Sequence, residues 1–451
     1  MISSAVGQLE RISKSYRGWR FRVFFAAWSM YATFYLCRAN ISVAVPELQK
    51  LLGGGTATEK SILLVGAILT GTKLAYGFGQ LINGLLGDRF GPRKVATIGM
   101  IISACMNLAF GLVGSFPAFM GIWIVNGLAQ ATGAPSRIKM LANWFSPTQR
   151  GKMMGFLGTD YVVGNAASWI MSGWLLTHYG WRSVFFVPAG ILAGSAIHFW
   201  LRARNAPEDV GLPTIETYEK LLSGEADAEA ALGPADEGGD VHAGWDFVVR
   251  QALLNPKVWI VGFAYFGVDL FRYGFLDWSF TYLIDQGAPV GKAVLKIAML
   301  PAVGALGIIA SGWLTDKLGG RRAPVISVML FVAAALAWVF RITSQAGDEG
   351  SLMISLVVLG GIGFFLYGPH LLMGATIAMD LGSRKASATA SGVIDWLGYM
   401  GAAVAGVGTA WARNTWGWDG AFALWIGSAV LAGALMLLLW NYKTDESAQF
   451  H

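Results

Sequence analysis

Apolar runs near the ~20 residues that a helix needs to cross a bilayer recur twelve times along the chain. They fall at 22–46, 62–86, 95–114, 117–143, 153–178, 183–203, 257–285, 290–316, 323–342, 351–380, 385–412 and 419–441. The polar breaks between them are short, except for one at 204–256 that splits the runs into six and six. That break contains IETYEKLLSGEADAEAALGPADEGGDVH, which is acidic, rich in small residues and poor in aromatics. Such a stretch buries too little apolar surface to fold by itself, so it reads as a solvated tether with one short helix. The pattern predicts an all-α membrane protein: twelve transmembrane helices in two pseudo-symmetric six-helix halves, 1–203 and 257–451, joined by a cytoplasmic linker at 204–256.

Composition points the same way. Of 451 residues, 55% are hydrophobic and 13% are charged, against about 25% charged in a soluble domain. Lipid must therefore be the solvent. The 59 glycines suit helices in lipid, where small residues let backbones approach closely. The net charge of +6 does not signal nucleic acid, because the basic residues sit in short clusters between apolar runs. Clusters precede the first run (Arg11, Lys14, Arg17, Arg20, Arg22) and follow the second (Arg89, Arg93, Lys94). Others follow the fourth (Arg150, Lys152), the eighth (Lys317, Arg321, Arg322) and the tenth (Arg384, Lys385). All lie on one side, and an excess of Lys and Arg marks that side as cytoplasmic, with the linker and both termini. No short apolar core with a small-residue cleavage site opens the chain, so no removable signal peptide is expected. The expected setting is the inner membrane, crossed many times by a monomer.

Other chemistry is excluded by its absence from the pattern. Cys37 and Cys105 sit inside apolar runs and make no disulfide framework, while His178 and His242 have no partner at metal-ligand spacing. No Gly-rich phosphate loop, Ser/His/Asp set or Cys/His set occurs, so neither an enzyme nor a cofactor is expected.

The two halves echo one another. GLLGDRFGPRK at 84–94 returns as GWLTDKLGGRR at 312–322, and GWRSVFFVPAG at 180–190 as GWDGAFALWIG at 417–427. Tyr31 and Arg38 map onto Tyr265 and Arg272 at one common offset. Halves related in this way place a site at their interface near the bilayer midplane, worked by rocking one half against the other. In the first echo an acidic residue, a Gly turn and basic residues can form a breakable cytoplasmic latch from Asp88, Arg89, Asp316 and Arg321; equally, they can be a capped turn that fixes topology. This D-R-x-G-x-R-K loop resembles the signature of the major facilitator superfamily.

Charges inside the runs carry the functional signal. An Arg at the centre of a span costs roughly 2.5–3.5 kcal/mol on insertion scales, so it faces a cavity. Two arginines qualify, Arg38 in YATFYLCRAN and Arg272 in YFGVDLFRYGFLDWS, and the pseudo-symmetry sets them facing each other. Guanidinium forks match phosphate or carboxylate oxygens in pairs, and two of them suit a compact dianion. Alternatively, each pairs with a neighbouring acid, as Arg272 with Asp269. Tyr31, Tyr35 and Arg38 share one helix face; so do Tyr265, Asp269 and Arg272, and Lys73, Tyr76 and Gln80.

At these residues the chain resembles the organophosphate:phosphate antiporters, the family of bacterial glycerol-3-phosphate and hexose-6-phosphate exchangers. The resemblance is carried by YLCRAN, AYGFGQLINGLLGDR, NAPEDVGLP, LFRYGFLDWSFTYL, FFLYGPHLLMGA and GWDGAF. It implies that Arg38 and Arg272 grip a phosphate and that Tyr31, Tyr35, Tyr76, Tyr367 and Tyr399 line the site. It further implies that outgoing inorganic phosphate drives uptake of an organic phosphate. Four positions depart from the family pattern: Gln80 replaces a lysine, Tyr161 (beside Asp160) a histidine, Asp269 a tyrosine and Asp395 a glycine. Lys73, two turns before Gln80, can restore the missing charge. The added carboxylates Asp160, Asp269 and Asp395 pair with Lys73 or Arg272, receive a cationic group of the substrate, or carry a coupled proton, since burial favours a neutral carboxyl. His370, beside the YGP break, is a further contact candidate. The expected function is import of a small organic phosphate or phosphonate, amine-bearing in one reading, in exchange for phosphate. The rivals are a sugar-phosphate sensor and a proton-coupled symporter of an organic acid.

Overall fold

The computed structural model describes residues 2–146, 149, 153, 156–223, 255–344, 349–377 and 387–442. Over these residues it is built from helices. The first half comprises α1 (Ile2–Leu36), α2 (Asn40–Leu52), α3 (Glu59–Phe90), α4 (Pro92–Leu112), α5 (Phe116–Gln130), α6 (Gly133–Trp144), α7 (Thr159–Tyr179) and α8 (Ser183–Arg202). After the short α9 (Ile215–Ser223) come α10 (Pro256–Asp285), α11 (Val290–Lys317), α12 (Arg322–Thr343) and α13 (Glu349–Leu371). A π turn at Leu372–Ile377 follows, then α14 (Ser387–Leu437). Because α1 and α2 form one broken leg, α5 and α6 another, and α14 bends at Gly417 into two, the bundle has twelve legs among the described residues, six on each side of α9.

By length and composition alone, seven described stretches qualify as membrane spans, the last of them, Gly392–Leu437, holding two legs. The legs that fail are α1–α2, α5–α6, α7 and α10. The first two are interrupted, and the others carry Asp160 or Asp269, Arg272 and Asp277. Their polarity faces inward, so the exceptions locate the interior path. The outer surface is apolar, with Leu112, Ile309, Val357 and Leu438 each at least two-thirds exposed.

The internal echoes have a backbone cause. Gly180 and Gly417, each opening a GW motif, sit at φ 78° and 67°, and Gly91 and Gly319 of the other echo at 85° and 65°. Only glycine takes these angles without strain. Behind each GW turn the equivalent aromatics Phe185 and Phe422 are buried, against Phe110 and Trp123 in one half and Phe275 and Trp425 in the other.

Among the described residues the halves meet chiefly along three helix pairs: α3 with α14, α7 with α11, and α2 with α10. A Cβ at Gly66 would lie 2.7 Å from Ala410 Cβ, so glycine sets the approach of α3 to α14. Across this seam Thr70 Oγ1 donates to Ala403 O at 2.6 Å and accepts from Val407 N at 2.9 Å. At the end of the bundle carrying the 53–58 turn, Arg413 reaches Asp285 Oδ2 at 2.5 Å and Gln49 Oε1 at 3.3 Å, and Asn414 donates to Glu59 O at 2.8 Å. This loop end is pinned shut. At the opposite, linker end, Tyr16 of α1 donates to Pro213 O and stacks on Tyr218 at 4.0 Å, and Arg93 holds the end of α8 through Trp200 O.

Helix bounds correct some of the drawn runs: the first helix starts at Ile2 rather than 22, and the last two runs form one helical element kinked at Gly417. The clusters at Arg150, Lys152, Arg384 and Lys385, most of the linker and His242 lie outside the described residues.

Candidate functional site

The site is organised by the break between α1 and α2. At Cys37–Ala39 the helical ladder gives way, and Pro46 inside α2 leaves a further backbone gap. Carbonyls freed in this way in a membrane interior need internal donors. Asn107 and Asn126 each donate to Cys37 O at 3.2 Å, and Gln130 donates to Phe34 O at 3.0 Å. Gln130 also accepts from Arg38, at 3.2 Å from Nε and 3.1 Å from Nη2. Arg38 is thereby held by a neutral amide, with its guanidinium 4.3 Å from the Tyr76 ring centre and 4.6 Å from that of Tyr35.

Arg272 lies in α10, only 4% exposed, with Nη1 3.5 Å from Asp269 Oδ1. Arg38 and Arg272 border one narrow space of about 20 Å³ together with Tyr35, Lys73, Tyr273 and Asp277, room for roughly one water. On its linker side a larger cavity of about 310 Å³ opens, bordered by Tyr31, Tyr35, Gln80, Tyr161, Asp269, Arg272, His370, Asp395 and Tyr399. Tyr76 and Tyr367 do not border this cavity; both are buried and pack against tyrosines that do. Tyr161 stacks on Tyr367 at 6.0 Å, Tyr76 meets Tyr399 at 4.8 Å, and both contacts cross between the halves. Tyr31 Oη stands 3.4 Å from Tyr76 Oη.

Lys73 lies in the narrow space rather than on the larger cavity, 3.3 Å from Asp277 Oδ2 and 4.0 Å from the Tyr273 ring centre. Ser42 Oγ donates to Asp277 Oδ1 at 3.4 Å. These contacts tie the halves together just beyond the arginines.

Two corrections follow. The expectation of two intramembrane arginines is one short: Arg137 of α6, inside the run drawn at 117–143, borders the 310 Å³ cavity with its guanidinium carbon 3.6 Å from the Tyr31 ring centre. It pairs with Asp160, which is fully buried. The added carboxylates therefore do not all turn to Lys73 or Arg272: Asp160 takes Arg137, Asp269 takes Arg272 and lies 3.4 Å from His370 Nδ1, and Asp395 has no ion pair among the described residues. Lys73 pairs instead with Asp277, which the sequence displayed in its DWS segment without marking it as functional. The side chains of Asp88, Arg89 and Asp316 lie outside the described residues, and Arg321 stands at the N-cap of α12. Among the described residues no group of His, Cys, Asp and Glu is arranged to hold a metal.

Comparisons with known proteins bear on this geometry. A sequence profile of the Major Facilitator Superfamily matches residues 27–406. A probable hexose phosphate transport protein of Chlamydia trachomatis is 30% identical over 448 residues, 98% of this chain and 95% of that protein. A membrane sensor protein, UhpC of Escherichia coli, is 28% identical over 97% of this chain and 96% of its own length. Among solved structures, a bacterial homologue of the human lysosomal transporter Spinster, inward-facing and occupied, superposes with TM-score 0.69 at 17% identity, over 96% of this chain and 99% of that one.

Proposed function

Because the chain belongs to the organophosphate:phosphate antiporter family of the Major Facilitator Superfamily, a family of membrane transporters and not of enzymes, we propose that it imports a small organic phosphate or phosphonate, amine-bearing compounds included, in exchange for inorganic phosphate. One observation carries this reading: Arg38 and Arg272, one from each half, border a single narrow space. The space holds about one water as it stands, so a dianion would enter it as the halves rock apart, and would meet two guanidinium forks, one from each half, each able to give two parallel charge-assisted hydrogen bonds. Tyr35 and Tyr273 border the same space and supply further donors.

Exchange follows from charge. With the space empty, closing the halves around Arg38, which has no carboxylate partner among the described residues, beside a second guanidinium is costly in a low-dielectric interior. A bound anion bridges them, so the loaded carrier reorients and the empty one does not; the anion shifts the equilibrium only by its differential affinity for the two arrangements. The pinned loop end corresponds to the periplasmic face of an inner membrane, and the linker end with its basic clusters to the cytoplasm. The 310 Å³ cavity then opens toward the cytoplasm, and the monomer is the working unit.

Phosphate-loaded proteoliposomes provide the test. External labelled phosphate should enter only against internal phosphate, and Arg38→Gln or Arg272→Gln should each abolish the flux. Counterflow that survives neutral replacement at both positions would refute the reading. The similarity to a sensor protein supplies the other outcome: binding of sugar phosphate without any counterflow.

A further inference from the structure

Among the described residues, four cations and four carboxylates surround the two spaces: Arg38, Lys73, Arg137 and Arg272 against Asp160, Asp269, Asp277 and Asp395. Six of the eight are matched. Arg137 pairs with Asp160, Lys73 lies 3.3 Å from Asp277, and Arg272 lies 3.5 Å from Asp269. The two left over have opposite sign. Arg38 is bonded to the neutral amide of Gln130, rests on tyrosine rings and has no carboxylate partner among the described residues. Asp395, which borders the larger cavity, has no cationic partner among the described residues.

From this we infer that the cavity takes a zwitterion, a short phosphate ester or phosphonate that also bears a primary ammonium, with the phosphate toward Arg38 and Arg272 and the ammonium on Asp395. The inference rests on the phosphate-exchange reading for which end of the ligand faces the arginines. A plain organic phosphate brings two negative charges and leaves Asp395 repelling it. An aminoalkyl phosphate supplies one opposite charge to each unmatched residue.

Local geometry favours Asp395 over Asp269 as the ammonium anchor. Asp269 pairs with Arg272 at 3.5 Å, and the ring of His370 closes over it with Nδ1 3.4 Å from Oδ1. Asp395, without an ion pair among the described residues, stands beside Tyr265: a Cβ at Gly374 would lie 2.7 Å from Tyr265 Oη and 3.5 Å from Asp395 Oδ1. The phenol and the carboxylate thus converge on one point, offering two oxygen acceptors to an ammonium that has three protons to give. Tyr35, Arg272 and Tyr273 border both the cavity and the narrow space that Arg38 borders, so one ligand can span the two ends.

The surrounding wall also asks for a ligand. Arg272 Nε and Tyr161 Oη belong to residues only 4% and 8% exposed, border the same cavity and have no hydrogen-bond partner among the described residues. Buried polar groups are normally satisfied, and phosphonate oxygens would satisfy both. A volume of about 310 Å³ falls at the small end of ligand sites, which suits a two- or three-carbon spacer.

The experiment measures thermal stabilisation of the purified full-length carrier in detergent. Its probes are 2-aminoethylphosphonate and 3-aminopropylphosphonate, compared with ethyl- and propylphosphonate. A charge-assisted contact predicts an amine preference of about tenfold to hundredfold in apparent affinity. In Asp395→Asn that preference should fall to near unity, and in Asp395→Glu it should persist. Equal stabilisation of the wild-type protein by amine and amine-free compounds overturns the inference, as does a preference that survives Asp395→Asn. Because this readout needs no flux, it fails separately from the exchange reading, which falls if phosphate-loaded vesicles show no counterflow.

Discussion

Asp277→Asn should unlatch the loop end of the carrier. Asp277 and Lys73 are 6% and 12% exposed in their side chains and 3.3 Å apart, one in each half, so their attraction exists only while the halves are closed there. Removing one partner of a buried pair typically costs ~3–5 kcal/mol, much of it from the charge left behind. Only the part that differs between closed and open arrangements moves the equilibrium, and Lys73 keeps its contact with the Tyr273 ring at 4.0 Å. A coupling near the low end of the usual range, ~1–3 kcal/mol, then shifts the population about tenfold toward opening. Leu69, on the loop side of Lys73 and 1% exposed, is the reporter. In a Leu69→Cys protein whose Cys37 and Cys105 are replaced by alanine, an impermeant thiol reagent added at the loop end should label about ten times faster once Asp277→Asn is introduced. Lys73→Gln should do the same, and the double variant should label no faster than either single one. An unchanged labelling rate in Asp277→Asn would refute the argument that this pair holds the end shut.

Three further outcomes follow from the geometry. Arg272→Lys should weaken phosphate binding ten- to hundredfold, because a point ammonium forfeits one charge-assisted bond worth ~1.5–3 kcal/mol; labelled-phosphate binding checks it. Arg137→Gln leaves Asp160 buried without its cation and should lower stability by ~3–5 kcal/mol, whereas adding Asp160→Asn should restore most of it; thermal melting in detergent distinguishes the two. Gly417→Ala places a side chain at φ 67°, ψ −162°, a region essentially confined to glycine, and should cost ~1–3 kcal/mol, read in the same melting assay, with the equivalent Gly180→Ala showing a similar loss.

The fold was legible because lipid imposes a simple rule, that about 20 apolar residues make a span, and because the repeats reuse glycines that the backbone requires. Gly91 with Gly319 and Gly180 with Gly417 could be matched by eye, since no other residue takes their φ angles without strain. Helix breaks were harder to read. Nothing in YLCRAN alone says that α1 stops at Leu36, because the cause lies in Asn107, Asn126 and Gln130, distant in sequence and donating to the freed carbonyls. The candidate site was half legible. Single charges in apolar runs stood out at Arg38 and Arg272, whereas Arg137 hid beside Lys139 near the end of its run and looked like a flanking cation. Of the carboxylates, only Asp269 had a partner that could be read, Arg272 one turn on in the same helix; the other pairings are tertiary facts, Asp160 reaching back to α6 and Asp277 across the halves to α3.

That distribution of pairs separates two kinds of work. Lys73–Asp277 and the Arg413–Gln49 contact join one half to the other, so their energy is spent or regained whenever the halves rock. Arg137–Asp160 and Arg272–Asp269 are each made within one half, so rigid-body motion leaves them intact and they hold the cavity walls in place throughout a cycle. A carrier built this way concentrates its conformational sensitivity in a few cross-seam contacts and in the unmatched Arg38 and Asp395. Charge on the ligand is then what distinguishes a loaded cavity from an empty one, and it acts on the same seam that Thr70, Ser42 and Asp277 bridge.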